Sequence, residues 1–159
     1  ISDLTNADLS GTNFAGADFR GTKLGKFFTD EMRRPSEVAK LTGANLSQAN
    51  LSHLNLTSVR LYGVNLSGAR LIGVKLSFAF LSGENLSRAE LSGALLVETN
   101  LERADLRDAN LSSAELRGAK LTAANLMGAN LSNAALSDAS LDGAHLDHAI
   151  LRGAAGDLQ

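Results

Sequence analysis

A five-residue spacing of leucine constrains this chain more than any other feature. From Ala39 to Gly153 the sequence divides without a gap into 23 pentapeptides, and Ser2 to Lys26 supplies five more. The central residue of each repeat, position i, is Leu in 26 of these 28 repeats and Phe in the other two. Position i−2 is Ala in 19 repeats, and position i+2 is Gly in 13. This pattern is typical of a repeat protein.

The spacing excludes an amphipathic helix. An α-helix advances about 100° per residue, so leucines five residues apart would be spread around its whole surface. In an extended chain, i−2 and i point to one side, whereas i−1 and i+1 point to the other. Because five is odd, the chain must turn once per repeat to keep every Leu inside, and Gly at i+2 suits such a corner. The pattern predicts a β-solenoid and leaves open whether it has three or four sides.

Size and charge limit the function classes. The 159 residues suffice for one domain. Fifteen Lys and Arg against 17 Asp and Glu give a net charge of −2, which disfavours generic binding to nucleic acid or to an anionic membrane. The absence of cysteine excludes disulfides and thiolate metal sites but leaves the compartment undecided.

The ends of the chain carry no recognisable targeting segment. No apolar run approaches the roughly 20 residues of a membrane-spanning helix, and no signal peptide is present. We therefore expect a soluble protein of unknown localisation. The chain begins at Ile1, inside the repeat, and we interpret it as a processed form or a fragment of a longer protein.

Individual repeats resemble a known family. The segments ADLSG at 7–11, ANLSQ at 44–48, ADLRD at 104–108 and ANLMG at 124–128 are similar to units of the pentapeptide-repeat family, and such units cover 140 of 159 residues. The resemblance implies an all-β fold, a right-handed quadrilateral β-helix with four repeats per coil and about seven coils. It also implies a protein-binding scaffold, since the family includes such scaffolds and DNA-mimicking binders of DNA gyrase.

We predict a single domain over residues 1–159 with one interruption. Repeats occupy 2–26 and 39–153, the tail is 154–159, and residues 27–38 form an inserted loop or short helix at one corner. The interruption holds the sole proline and the adjacent Arg33 and Arg34. A surface loop and a partner-binding arm remain alternatives for it.

Register arithmetic places two unusual aromatic residues beside this interruption. Phe78 falls at a corner and Phe80 at an outward position, where the chain otherwise prefers polar residues. We predict that Phe27 or Phe28 packs against them, because exposure of all four rings would leave an unusual apolar patch. The predicted partner surface consists of Arg33, Arg34, Arg60, Tyr62, Phe78 and Phe80.

A few inward i−2 positions depart from the small-residue rule. Over neighbouring coils they hold Leu54, Val59, Val64 and Val74, for which we predict locally wider packing. Glu84 is also inward, and an unpaired carboxylate there would be costly. We expect Glu84 to reach water or a backbone donor rather than to act in catalysis, and Thr99 to bond locally.

No catalytic or cofactor-binding constellation is recognisable, so we predict no enzyme activity and no cofactor. His145 and His148 are both outward, which makes a solvated surface the better interpretation than a metal site. We predict a non-catalytic scaffold whose partner is another protein, not nucleic acid or a membrane. The alternatives are a DNA-mimicking inhibitor of DNA gyrase and a repeat domain of a larger secreted or multidomain protein. We expect Leu146, Ile150, Leu151 and Leu158 to be exposed at the last coil, and either missing flanking sequence or an end-to-end homodimer would explain this.

Overall fold

The four-sided solenoid is visible in the backbone pairing of the computed structural model. The structure describes residues 3–4, 7–24, 39–57, 59 and 61–156. Within these ranges there is no helix, and each side of the solenoid contributes a single bridged residue rather than a longer strand. Parallel bridges join i−1 residues 20 positions apart, such as Asn65 with Asn85 and Asp105 with Asn125. Twenty residues are four pentapeptides, so one coil has four sides.

Three backbone hydrogen bonds per repeat hold neighbouring coils together. In a regular repeat, Leu86 N–H donates to the Asp105 carbonyl at 2.8 Å and Arg88 N–H donates to the Arg107 carbonyl at 2.8 Å. Asp105 N–H donates back to the Glu84 carbonyl at 3.0 Å. We call this repeating set the ladder. The ladder pairs backbone N–H and C=O groups that would otherwise be buried without a hydrogen-bond partner.

The core follows directly from the two inward positions of each repeat. Leu111 at position i is fully buried, and Ala109 at position i−2 is 1% exposed. Alanine has no side chain beyond Cβ, so it leaves room for the four leucines of a coil to fill the interior. Coils at either end of the described chain are only partly buried, as at Phe14 and Leu146, because each coil covers its neighbours.

The corner position i+2 explains the frequent glycine. Its backbone adopts positive φ, as at Gly73 with φ +61°. A Cβ on Gly73 would also lie 2.7 Å from Nδ1 of His53, the corner residue one coil earlier. Both the backbone conformation and the stacked side chain therefore favour glycine there.

The preference for Asn or Asp at i−1 has a local cause. The side-chain oxygen of this residue accepts the N–H of i+1 in the same repeat, as from Ser67 to Asn65 at 3.1 Å. The amide group can also bridge coils, since Asn65 Nδ2 donates to Asn45 Oδ1 at 3.3 Å. Both contacts satisfy groups that the ladder does not use.

The pairing carries straight across the interruption. Ala39 N–H donates to the Leu24 carbonyl at 2.7 Å, the same bond that Ala44 makes to Leu41 at 2.9 Å. The bridge from Asp8 goes to Lys40, 32 residues away instead of 20. The difference equals the twelve residues of 27–38. These residues lie outside the described part of the chain, so the packing of Phe27 or Phe28 against Phe78 and Phe80 stays a prediction.

Candidate partner-binding surface

Three exposed aromatic side chains lie together on one side of the solenoid. Side A is the side whose position-i residues are Leu9, Leu41, Leu61, Leu81, Leu101, Leu121 and Leu141. Tyr62 and Phe80 point outward from side A and are 51% and 57% exposed. Phe78, at the corner before side A, is 45% exposed. We call these three residues the aromatic patch.

The aromatic patch spans two neighbouring coils, and two of its rings are in contact. The rings of Tyr62 and Phe80 stack with centroids 6.2 Å apart and planes inclined by 30°. Phe78 has a φ of +62°, which is uncommon for a bulky residue. The same positive φ occurs at the other i+2 corners, so what distinguishes Phe78 is an exposed aromatic ring at a corner that elsewhere holds small or polar residues.

The outward orientation predicted for Phe78 and Phe80 is confirmed. Of the other residues in the predicted partner surface, Tyr62 joins them, whereas Arg33, Arg34 and Arg60 lie outside the described residues. The other large exposed apolar side chains among the described residues are Leu95, Met127 and Ile150, each on a different side of the solenoid.

The ladder is interrupted beneath the aromatic patch. Among the described residues, three expected backbone bonds between 59–63 and 80–82 are absent. The unmade bonds are Leu61 N–H to Phe80 C=O, Phe80 N–H to Val59 C=O and Gly63 N–H to Ser82 C=O, whereas the neighbouring bridge of Asn65 with Asn85 is kept. We call this place the ladder opening. A smaller gap of three bonds lies between 21–24 and 52–55, next to the departure of the chain into the interruption.

Glu84 supplies a side-chain substitute at the ladder opening. Its Oε1 accepts the Gly63 N–H at 2.8 Å, in place of the Ser82 carbonyl. Glu84 is 8% exposed, and burial raises the pKa of its carboxyl, while the Gly63 hydrogen bond acts in the opposite direction. The expectation that Glu84 reaches a backbone donor is confirmed.

The other inward exceptions are buried, in agreement with their inward positions, while the wider packing predicted around them stays a prediction. Exposure is 5% for Leu54, 4% for Val59, 2% for Val64 and 0% for Val74. Thr99 is also fully buried, and its Oγ1 donates to the Leu76 carbonyl at 2.9 Å. That bond satisfies a hydroxyl that would otherwise be costly in the core.

Some charged groups on the surface are paired within single repeats, and others, such as Lys40 with Asp8, are paired between coils. Arg20 pairs with Asp18 at 2.7 Å and Arg107 pairs with Asp105 at 2.6 Å. The side-chain hydrogen bond from Arg20 lowers the pKa of Asp18 to about 2. The surface therefore alternates in sign instead of forming a continuous acidic stripe.

The described residues contain no cluster of three His, Cys, Asp or Glu side chains suited to a metal ion. His145 and His148 are exposed, in agreement with their predicted outward orientation. No helix within the described ranges has the length and apolar character needed to cross a membrane.

Sequence reasoning missed two features of this surface, the ring stack and the ladder opening. Tyr62 and Phe80 are 18 residues apart and lie on neighbouring coils, so their contact depends on how one coil stacks on the next. A signal for the opening was present in the sequence. Glu84 is the one charged residue at an inward i−2 position.

A four-sided solenoid of bridged pentapeptides with a leucine and alanine core defines a class of β-helical repeat proteins. The model of the family described as pentapeptide repeats matches residues 2–25, 39–77, 85–122 and 123–155 in eight copies. The chain belongs to the pentapeptide-repeat family, whose members fold as right-handed quadrilateral β-helices. The resemblance recognised in the sequence is thereby confirmed.

Several solved structures are similar to this chain. HetL from the cyanobacterium Nostoc, a pentapeptide repeat protein involved in heterocyst differentiation regulation, is 30% identical over 96% of this chain and 88% of its own, with a TM-score of 0.34. Rfr23 from the cyanobacterium Cyanothece is 26% identical over 98% and 88%, with a TM-score of 0.38. A trypsin-treated form of QnrB1, a plasmid-mediated fluoroquinolone resistance protein, is 19% identical over 98% and 78%, with a TM-score of 0.47. The search of curated proteins found no match.

Proposed function

We propose that the chain is a non-catalytic scaffold that binds another protein through side A. The observation that carries this proposal is the aromatic patch, in which Tyr62 and Phe80 stack while both remain more than half exposed. Aromatic side chains are enriched at the energetic centres of protein interfaces. Arg33, Arg34 and Arg60, near the patch in sequence register, complete the proposed surface.

The proposal extends to the architecture of the whole chain. We propose about seven coils built from the repeats of 2–26 and 39–153, with 27–38 as an inserted loop or short helix and 154–159 as a tail. An end-to-end homodimer through the C-terminal coil belongs to the same proposal. Its support is the partial burial of Leu146 and Leu151 at that end.

The partner surface is tested by comparing variants that remove exposed apolar side chains from different sides of the solenoid. Tyr62→Ala/Phe80→Ala removes the stacked rings, whereas Ile150→Ala removes another exposed apolar residue, 52% exposed, on a different side. Proteins retained by immobilised wild type are identified by mass spectrometry and then measured with each variant. We expect the double variant alone to lose its partner by at least about tenfold in affinity. Equal retention by all three proteins would contradict the proposal.

Binding to DNA gyrase as a DNA mimic is the alternative within the same family. It requires an acidic stripe that repeats at about the phosphate spacing of a duplex. The pairing of Asp18 with Arg20 and of Asp105 with Arg107 argues against such a stripe. A supercoiling assay discriminates between the two functions, because a scaffold for another partner leaves gyrase activity unchanged at micromolar protein.

A further inference from the structure

Glu84 does not fit the role of an ordinary buried residue in this fold. Its column, the inward i−2 position of one side, continues with Ala104 and Ala124 in the following coils. A buried carboxylate costs far more than the alanine it replaces, unless it makes a compensating bond. Its bond is to a backbone N–H that the regular ladder would have paired with a carbonyl.

Large side chains at the inward i−2 positions do not by themselves account for the ladder opening. Val74 is fully buried at i−2, yet Lys75 N–H and Leu95 N–H make their ladder bonds beside it at 2.9 and 2.8 Å. Thr99, another β-branched inward residue, has intact ladder bonds on both sides. The fold therefore accepts branched residues at i−2 without losing pairing.

The ladder is broken on only one side of Glu84, the side toward which its side chain extends. Toward the following coil, the backbone of Glu84 is regular, since its carbonyl accepts Asp105 N–H at 3.0 Å. Toward the preceding coil, where Oε1 reaches Gly63, the three ladder bonds of the opening are absent among the described residues. Tyr62 immediately precedes Gly63, and its ring stacks on Phe80 across the same gap.

We infer that Glu84 is a positioning residue, a wedge that keeps the ladder open and thereby holds Tyr62 stacked on Phe80. By occupying the Gly63 N–H, the carboxylate prevents the bond from Gly63 to Ser82 that would draw the two coils together. This inference concerns the chain alone. It stands or falls separately from the proposed partner.

The chain offers a clean local reporter. Tyr62 is its single tyrosine and tryptophan is absent, so tyrosine fluorescence reports on the aromatic patch alone. The amides of Leu61 and Phe80, which lack ladder partners in the described structure, report on the opening through hydrogen exchange measured by NMR.

The test compares three variants. Glu84→Ala installs the residue of regular repeats, and we expect the Leu61 and Phe80 amides to exchange roughly tenfold more slowly as ladder bonds form. The Tyr62 fluorescence should change with them. Glu84→Gln keeps the shape and an acceptor oxygen, and it should leave both readouts as in the wild type. Val64→Ala reduces inward bulk next to the opening and should also leave them unchanged.

Two results would overturn the inference. One is fast exchange at Leu61 and Phe80 in Glu84→Ala with an unaltered tyrosine signal, which would show that the opening does not depend on Glu84. The other is closure of the ladder in Val64→Ala with Glu84 still present, which would assign the opening to packing volume. Far-UV circular dichroism of each variant verifies that the solenoid is folded before the readouts are compared.

Discussion

The regular coils over residues 86–136 and the irregular stretch over residues 54–85 are built from the same pentapeptide but behave differently. In the regular coils every expected ladder bond between described residues is made, and the inward i−2 residues are alanines apart from Thr99. In the irregular stretch the ladder opens on one side, and five of the seven i−2 positions hold residues other than alanine, namely Leu54, Val59, Val64, Val74 and Glu84. The pentapeptide therefore sets the course of the chain, and the ladder opens where Glu84 takes the place of the inward alanine.

The largest expected effect is the loss of stability when a core leucine is truncated, and it should be greater in the regular coils than in the irregular stretch. Leu111→Ala in the regular coils should lower the free energy of unfolding by about 2 to 5 kcal/mol, because a rigid, fully paired neighbourhood cannot collapse into the cavity. Leu61→Ala, at an equally buried leucine beside the ladder opening, should cost less, because its surroundings have room to relax. Urea unfolding measures both. A loss under about 0.5 kcal/mol for Leu111→Ala would place it outside the core.

The next effect concerns the charge of Glu84. Burial raises the pKa of the Glu84 carboxyl in the folded protein above the ordinary value of 4.5. Protonation of this carboxyl therefore stabilises the folded state, and the gain is complete at pH values below the pKa of the unfolded chain. That stability is lost as pH rises through the folded pKa. Glu84→Gln, which is neutral at every pH, should therefore be more stable than wild type at neutral pH, with the difference shrinking toward acid. Thermal unfolding across pH 3 to 8, roughly the range in which a glutamate titrates, provides the measurement. A pH-independent difference would contradict this linkage.

A smaller effect compares two glycine corners. Gly63, at the ladder opening, and Gly83, in an intact ladder, have φ of +70° and +72°. Substitution of each by Ala should cost about 1 kcal/mol, since the left-handed conformation penalises a Cβ equally in both places. Chemical denaturation of the two variants should agree closely. A much larger loss at Gly63 would show that the Glu84 bond fixes this corner more tightly than the ladder fixes the other.

The smallest expected effect is at a surface ion pair of the regular coils. The side-chain hydrogen bond from Arg107 lowers the pKa of Asp105, so its contribution is present above the unfolded pKa and lost as pH falls through the folded pKa. Asp105→Asn keeps the oxygen that accepts Arg107 N–H and matches the Asn of neighbouring coils. At neutral pH its stability should stay within about 0.5 kcal/mol of wild type. A larger loss would mean that the pair stabilises the coil beyond its local turn.

The five-residue period by itself determined that this chain forms a solenoid with Leu and Ala inside, because only one turn per repeat keeps an odd-numbered spacing on one face. It also determined that Phe78 and Phe80 point outward and that Glu84 needs a polar partner. The backbone pairing decided that the solenoid has four sides, since a coil closes only where hydrogen bonds join residues 20 apart. The stack of Tyr62 on Phe80 and the bond from Gly63 to Glu84 depend on how one coil sits on the next. Contacts between residues about twenty positions apart follow from stacking, and the local propensities of a pentapeptide do not contain them.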